Sequence, residues 1–176
     1  MLKKRVIFTL LYCDGSYMLS RNFRLQKVGD LHWLKENYNF SQISFFIDEL
    51  IVINISRSHN NQKSFLLDLE KLSKDCFLPI SAGGGIRSPN TAKDLFNSGA
   101  DKILLNTAIF LNPELIQNLV KKFGQQCIVA SIDLKKNKNG DYQIVVESGT
   151  KILSGEVSNL LKSLDTNSIG EIYLNS

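Results

Sequence analysis

The chain has 176 residues, 43% of them hydrophobic, with 21 basic and 17 acidic side chains and a formal charge of +4. That length and apolar content suit a single domain with its own core, and the charge is scattered, with no basic run of the kind that binds nucleic acid. No stretch is apolar for long enough to span a bilayer, so a membrane protein is not expected.

The N-terminus starts basic, at Lys3-Lys4-Arg5, and turns apolar from Val6. Asp14-Gly15 breaks that run before a signal-peptide core forms. Val6 to Tyr12 reads as a strand, Asp14-Gly15 as a turn, and Tyr17-Met18-Leu19 as a short return strand. Asp30 caps a helix to about Tyr38, with Leu31, Leu34 and Trp33 toward the core. Leu50 to Ile55 is apolar on both faces, as a strand of a parallel sheet buried on both sides requires. Residues 56–63 form a polar loop with His59, to which no role is assigned. A helix starts at Ser64, and Phe77 to Ala82 is the next strand. Ser88-Pro89 opens another helix, ended by Gly99. Asp101 to Asn106 is a strand, and Asn112-Pro113-Glu114 starts a helix carried to Gly124. Cys127 to Ile132 is a strand ending at Asp133. A polar turn from Lys135 to Asp141 then leads into a hairpin strand, Tyr142 to Val146. A helix over Val157–Leu164 and a strand over Ile169–Asn175 complete the sequence. The three cysteines, Cys13, Cys76 and Cys127, sit in or beside apolar strands, form no CxxC pair and read as buried thiols of a reducing compartment. The expectation is a soluble, cytoplasmic chain.

Strand and helix alternate about every thirty residues, which predicts parallel strands with helical crossovers. An open doubly wound sheet and a TIM-type barrel both fit that rhythm. A complete eight-unit barrel takes about 250 residues, so a barrel here is incomplete: one partial domain, 1–176, of about six parallel strands with outer helices and a hairpin after the fifth. Six strands cannot close an eight-stranded barrel. Unpaired edges on strands one and six are therefore expected, giving an open, curved sheet that is unstable alone, pairs with itself or is rescued by a missing segment.

The most pointed local signal is Ala82-Gly83-Gly84-Gly85-Ile86-Arg87, where a strand ends in three glycines just before a helix. Such a turn lets backbone N–H groups approach an anion, although a strand-to-helix turn needs flexible residues for its own sake. Asn106-Thr107 at the next strand end adds two short polar groups.

Several segments, taken in order, carry a resemblance. They are Met1 to Ile7, Val28-Gly29-Asp30, Asp48-Glu49-Leu50, Gly83 to Ser88, Gly99 to Lys102, Asn106-Thr107-Ala108, Asn112 to Ile116, Phe123 to Cys127 and Ala130 to Asp133. The chain resembles the cyclase subunit of imidazole glycerol phosphate synthase, a TIM barrel of the histidine pathway, over essentially its whole length. The family barrel continues for two and a half further units. The resemblance implies ammonia supplied by a glutaminase subunit in a heterodimer, passage through the barrel, and ring closure on a phosphorylated substrate, with no metal or organic cofactor.

By the same resemblance, Arg5, Glu49, Lys102 and Glu171, each at a strand start, form an ammonia gate, and Asp101 belongs to the glutaminase interface. Charges at the start of buried strands are costly unless paired, and two cations with two anions can pair as a ring. Solvated charges are the plain alternative. Gly83, Gly84, Asn106 and Thr107 match phosphate-holding positions. Lys102, Leu104 and Asn106 share one strand face, placing lysine at one end and asparagine at the other. Of the family's two acid–base aspartates only Asp133 is present. Leu11 stands at the other, Leu19 replaces a family lysine, and Asn54 replaces an aspartate; leucine moves no proton. This pattern resembles the paralogues paired with a second glutaminase in surface-polysaccharide pathways, which place ammonia on a nucleotide-linked sugar. A degenerate, glutaminase-binding or activating subunit is the rival expectation. A related sugar-phosphate isomerase barrel is a third, against which Leu11 and the gate both argue.

Overall fold

Apolar, β-branched runs form strands and capped, periodic runs form helices, as local physics requires. The computed structural model describes residues 4–21, 24–43, 45–56 and 61–176; His59 and Met1 to Lys3 lie outside them. The chain divides into two compact units, Met1–Gly85 with Asn90–Ile103, and Ile86–Pro89 with Leu104–Ser176.

In the first unit, β1 (Ile7–Cys13) pairs in parallel with β4 (Glu49–Asn54), and β4 with β5 (Ile80–Gly83). The return strand β2 (Ser16–Arg21) pairs antiparallel with β1 and with a further, unexpected strand, β3 (Arg24–Gly29). Arg24-Leu25-Gln26-Lys27 is exposed and lacks alternation, so periodicity does not mark it. Helix α1 (Leu31–Asn37) starts where expected: Asp30 accepts from the Trp33 N–H at 2.9 Å, and Leu31 and Leu34 are buried while Trp33 is only half-buried. A single turn, α2 (Phe40–Ile43), precedes β4. Helix α3 (Gln62–Asp75) buries Phe65, Leu69 and Leu72, and its Phe65 ring packs on Tyr12 of β1. β5 begins three residues later than expected because Phe77 stays 87% exposed. Helix α4 (Pro89–Asn97) buries Ala92 and Leu95 before Gly99 turns the chain at φ +97°. β6 (Lys102–Leu105) carries the chain into the second unit.

There, a one-turn helix, α5 (Thr107–Leu111), precedes α6 (Pro113–Phe123), which is capped by Asn112 Oδ1 accepting from the Leu115 N–H at 3.1 Å. β7 (Ile128–Lys136) runs past Asp133 and folds back on β8 (Tyr142–Val146), followed by β9 (Lys151–Ile152). Helix α7 (Val157–Lys162) is shorter than expected. The chain then enters β10 (Glu171–Asn175), parallel to β7 with Asn175 beside Asp133. The core of this unit is built from Leu119, Ile128, Ala130, Ile132 and Val146, all fully buried. Cys13, Cys76 and Cys127 are unpaired thiols; Cys76 is buried and the other two are half-buried.

Candidate functional site

In the first unit, register decides what meets at the strand starts. Ile7 lies beside Glu49, and Ile51 beside Ser81, so Glu49, Ile51 and Ser81 share a face with Thr9 and Leu11. Glu49 is 2% exposed, a costly position for a carboxylate. Its neighbours compensate: Arg5 Nη1 lies 3.1 Å from Oε2, Lys102 Nζ 3.2 Å from Oε2 and 3.3 Å from Oε1, and the Ser81 hydroxyl donates to Oε1 at 2.5 Å. Arg5, Glu49 and Lys102 are thus brought together, although Arg5 precedes β1 by two residues rather than starting it. Glu171 is the first residue of β10, in register with Val129 of the second unit. Ser81 was not foreseen; a serine two residues before a glycine turn is too common to single out.

Two aspartates place these charges. Val6 N–H donates to Asp48 Oδ2 at 2.8 Å while the Asp48 N–H donates to the Val6 carbonyl at 2.8 Å. Ile80 N–H donates to Asp101 Oδ2 at 2.8 Å while the Asp101 N–H donates to the Ile80 carbonyl at 2.7 Å. Each aspartate clamps the adjacent strand and so fixes the next residue, Glu49 or Lys102. Asp101, expected at a partner interface, thereby has an intramolecular task.

At the other end of this unit, Leu11, Ile53 and Gly83 lie side by side on one face, a row without an ionisable group where the resemblance leads to the expectation of a carboxylate. Asn54 belongs to the opposite parity. Its Oδ1 accepts from the Ser56 N–H at 3.0 Å and its amide reaches Gln62 Oε1 at 3.5 Å, closing the loop into α3. The glycine turn has two distinct causes. Gly84 adopts φ +111°, and a Cβ there would stand 2.0 Å from the Asn54 carbonyl oxygen. Gly85 adopts φ +67° with nothing within 4 Å of a Cβ. Close packing therefore demands one glycine and backbone conformation the other.

In the second unit the strand ends converge on Asp133. Asn106, at the end of β6, donates to Asp133 Oδ2 at 3.2 Å and to the Ser131 carbonyl at 2.9 Å. Asn175 donates to Asp133 Oδ1 at 3.0 Å. Burial pushes the Asp133 carboxyl above the ordinary aspartate range, and the Asn175 amide partly offsets that. Thr107 Oγ1 lies 3.4 Å from Asn106 Oδ1 and accepts the Glu147 N–H at 3.0 Å. Asp133, Asn106 and Thr107 are thus grouped, and Asn175 joins them. Sequence reasoning missed Asn175, which only the pairing of β10 with β7 sets beside Asp133.

The pattern describing the histidine biosynthesis protein family matches residues 25–176. The chain belongs to this family. Its parallel strands with outer helices are an incomplete set of the units of that family's TIM-type barrel. It is 46% identical over its full 176 residues, and over 65% of the relative's length, to a Parasynechococcus marenigrum protein provisionally named imidazole glycerol phosphate synthase subunit hisF2. It is 37% identical to the Prosthecochloris aestuarii imidazole glycerol phosphate synthase subunit HisF, of which it covers 68%. A Pseudomonas aeruginosa protein, also provisionally named hisF2, is 33% identical with 69% of its length covered. The chain thus spans about two thirds of the length of these relatives, from 65% to 69%. Among the described residues, no helix is long and apolar enough to cross a membrane.

Proposed function

We propose that this chain is the ammonia-using side of a two-part synthase, fed by a separate glutaminase subunit and acting on a phosphorylated small molecule. The observation that carries this reading is the Arg5–Glu49–Lys102 cluster. A carboxylate whose side chain is 3% exposed, held by two cations and a serine hydroxyl, is a poor device for stability, because apolar residues of similar volume serve as well or better. It suits an entrance that a small neutral molecule passes in single file, to which the family resemblance, and not the cluster itself, adds Glu171. On this reading Gly83, Gly84, Asn106 and Thr107 hold a phosphate through backbone N–H groups and short side chains. Asp133 takes a proton from the attacking nitrogen as the C–N bond forms and returns it to the leaving oxygen.

Leu11, Leu19 and Asn54 favour an acceptor other than the imidazole precursor, and by the resemblance the sequence carries, that acceptor is a nucleotide-linked sugar of a surface-polysaccharide pathway. Cytoplasmic action beside such a glutaminase goes with this proposal. Purified chain given ammonium and the histidine-pathway substrate is expected to release no imidazole product; clear turnover would sink the paralogue reading. The apolar row Leu11–Ile53–Gly83 favours a second reading, a subunit that binds and activates the glutaminase without chemistry of its own. Asp133→Asn separates the two. Loss of nitrogen transfer with glutaminase activation retained marks an enzyme, whereas activation without transfer in the unaltered chain marks the activator.

A further inference from the structure

The two oxygens of Asp133 meet amides that are not equivalent. On the Oδ2 side, Asn106 Nδ2 also donates to the Ser131 carbonyl at 2.9 Å, and Asn106 Oδ1 faces the Thr107 hydroxyl at 3.4 Å. Turning that amide over would press its oxygen against the Ser131 carbonyl, so Asn106 is locked as a donor. On the Oδ1 side, Asn175 is exposed, and its amide has no second partner among the described residues. It presents either its NH2 or its oxygen at little cost.

We infer that Asp133 takes up its proton on Oδ1, and that Asn175 is the positioning residue whose amide turns over to accept it. In the ionised state both asparagines donate, one to each oxygen. When a proton arrives from solvent at Oδ1, Oδ2 becomes the carbonyl oxygen and keeps the Asn106 donor, while the new O–H donates to the Asn175 oxygen. No hydrogen bond is lost in either state. A proton on Oδ2 would instead face a fixed N–H and leave a half-buried hydroxyl without an acceptor. In register with Asp133 lie Val145 of β8 and Asn175 of β10, and Asn106 reaches it from the end of β6, none of which ionises; the ionisable residues two positions along are Glu147 after Val145, Tyr173 on β10 and Lys135 on β7 itself. Burial and the Asn175 amide therefore set the balance between the two states. The acid form presents its proton along the edge of β10, which deepens the acid–base role of Asp133 while leaving that role separately testable.

The experiment reads protonation directly by NMR on the full chain carrying labelled aspartate and asparagine side chains. The Asp133 carboxyl carbon is followed through acid titration and assigned with Asp133→Asn. The expected result is that the Asn175 side-chain amide resonances move with the same midpoint as Asp133 while those of Asn106 keep their pattern. In Asp133→Asn, an uncharged mimic of the acid, Asn175 is expected to stay at its acid-limit position at every pH. Asn106→Leu, which leaves Asn175 in place, should keep the Asn175 resonances moving with the Asp133 midpoint. Asn175 resonances indifferent to the Asp133 titration overturn the inference, as does an Asn106 amide that moves with that titration in place of Asn175. The wild-type titration decides even where a variant fails to fold. A titration as expected with no nitrogen transfer leaves the inference standing and removes only the catalytic reading.

Discussion

Asp133 and Gly84 show how single residues are constrained. Burial holds the Asp133 acidity constant above its unfolded value, so the folded chain keeps a proton that the unfolded chain has lost. The stability this confers is fully present below the ordinary aspartate value and is lost as pH rises through the folded value. Asp133→Asn is therefore expected to melt above the wild type at neutral pH, the gap closing on acidification. Thermal melts across that range check it, and a gap that widens toward acid contradicts it. Gly84→Ala combines a left-handed backbone with a collision against the Asn54 carbonyl and is expected to cost about 3 kcal/mol or more. Gly85→Ala meets open space and is expected to cost only about 1 kcal/mol. Equal losses in denaturant titrations would contradict this division. The glycine run was legible as a turn, but which glycine answers to packing was not, because the Asn54 carbonyl that crowds Gly84 comes from another strand.

At the scale of elements, the caps were the most legible features. Asp30 and Asn112 each accept the N–H three residues on, because a short polar side chain before an apolar period has few other uses. Strand β3 and helix α5 were not legible. The first is polar and unpatterned, and the second, Thr107-Ala108-Ile109-Phe110-Leu111, is a short apolar run that reads equally as strand. The charges were legible as anomalies, since Glu49 at the head of an apolar strand requires partners. The aspartate clamps that seat them were not, because an aspartate before a strand is ordinary until its register is known. Asp101→Ala removes the acceptor of the Ile80 N–H and is expected to cost about 1 kcal/mol. Amide exchange at Ile80 should quicken while exchange at Val6, held by Asp48, stays unchanged. Unaltered exchange at Ile80 would show the clamp to be incidental.

At the scale of the whole molecule, family membership and the buried Glu49 cluster support the proposed function, and Leu11 at the end of β1 is the ground on which an acceptor other than the imidazole precursor is proposed. Asn175 stayed hidden in the sequence because an asparagine at a strand end carries no charge to betray its neighbour. Only the pairing of β10 with β7 sets it against Asp133. The most direct test of the central claim is the rate of glutamine hydrolysis by the cognate glutaminase, measured with and without this chain. The wild-type chain is expected to raise that rate, and Lys102→Met, which removes one cation from Glu49, to lose most of the increase while remaining folded by circular dichroism. A glutaminase rate unchanged by saturating wild-type chain would contradict it.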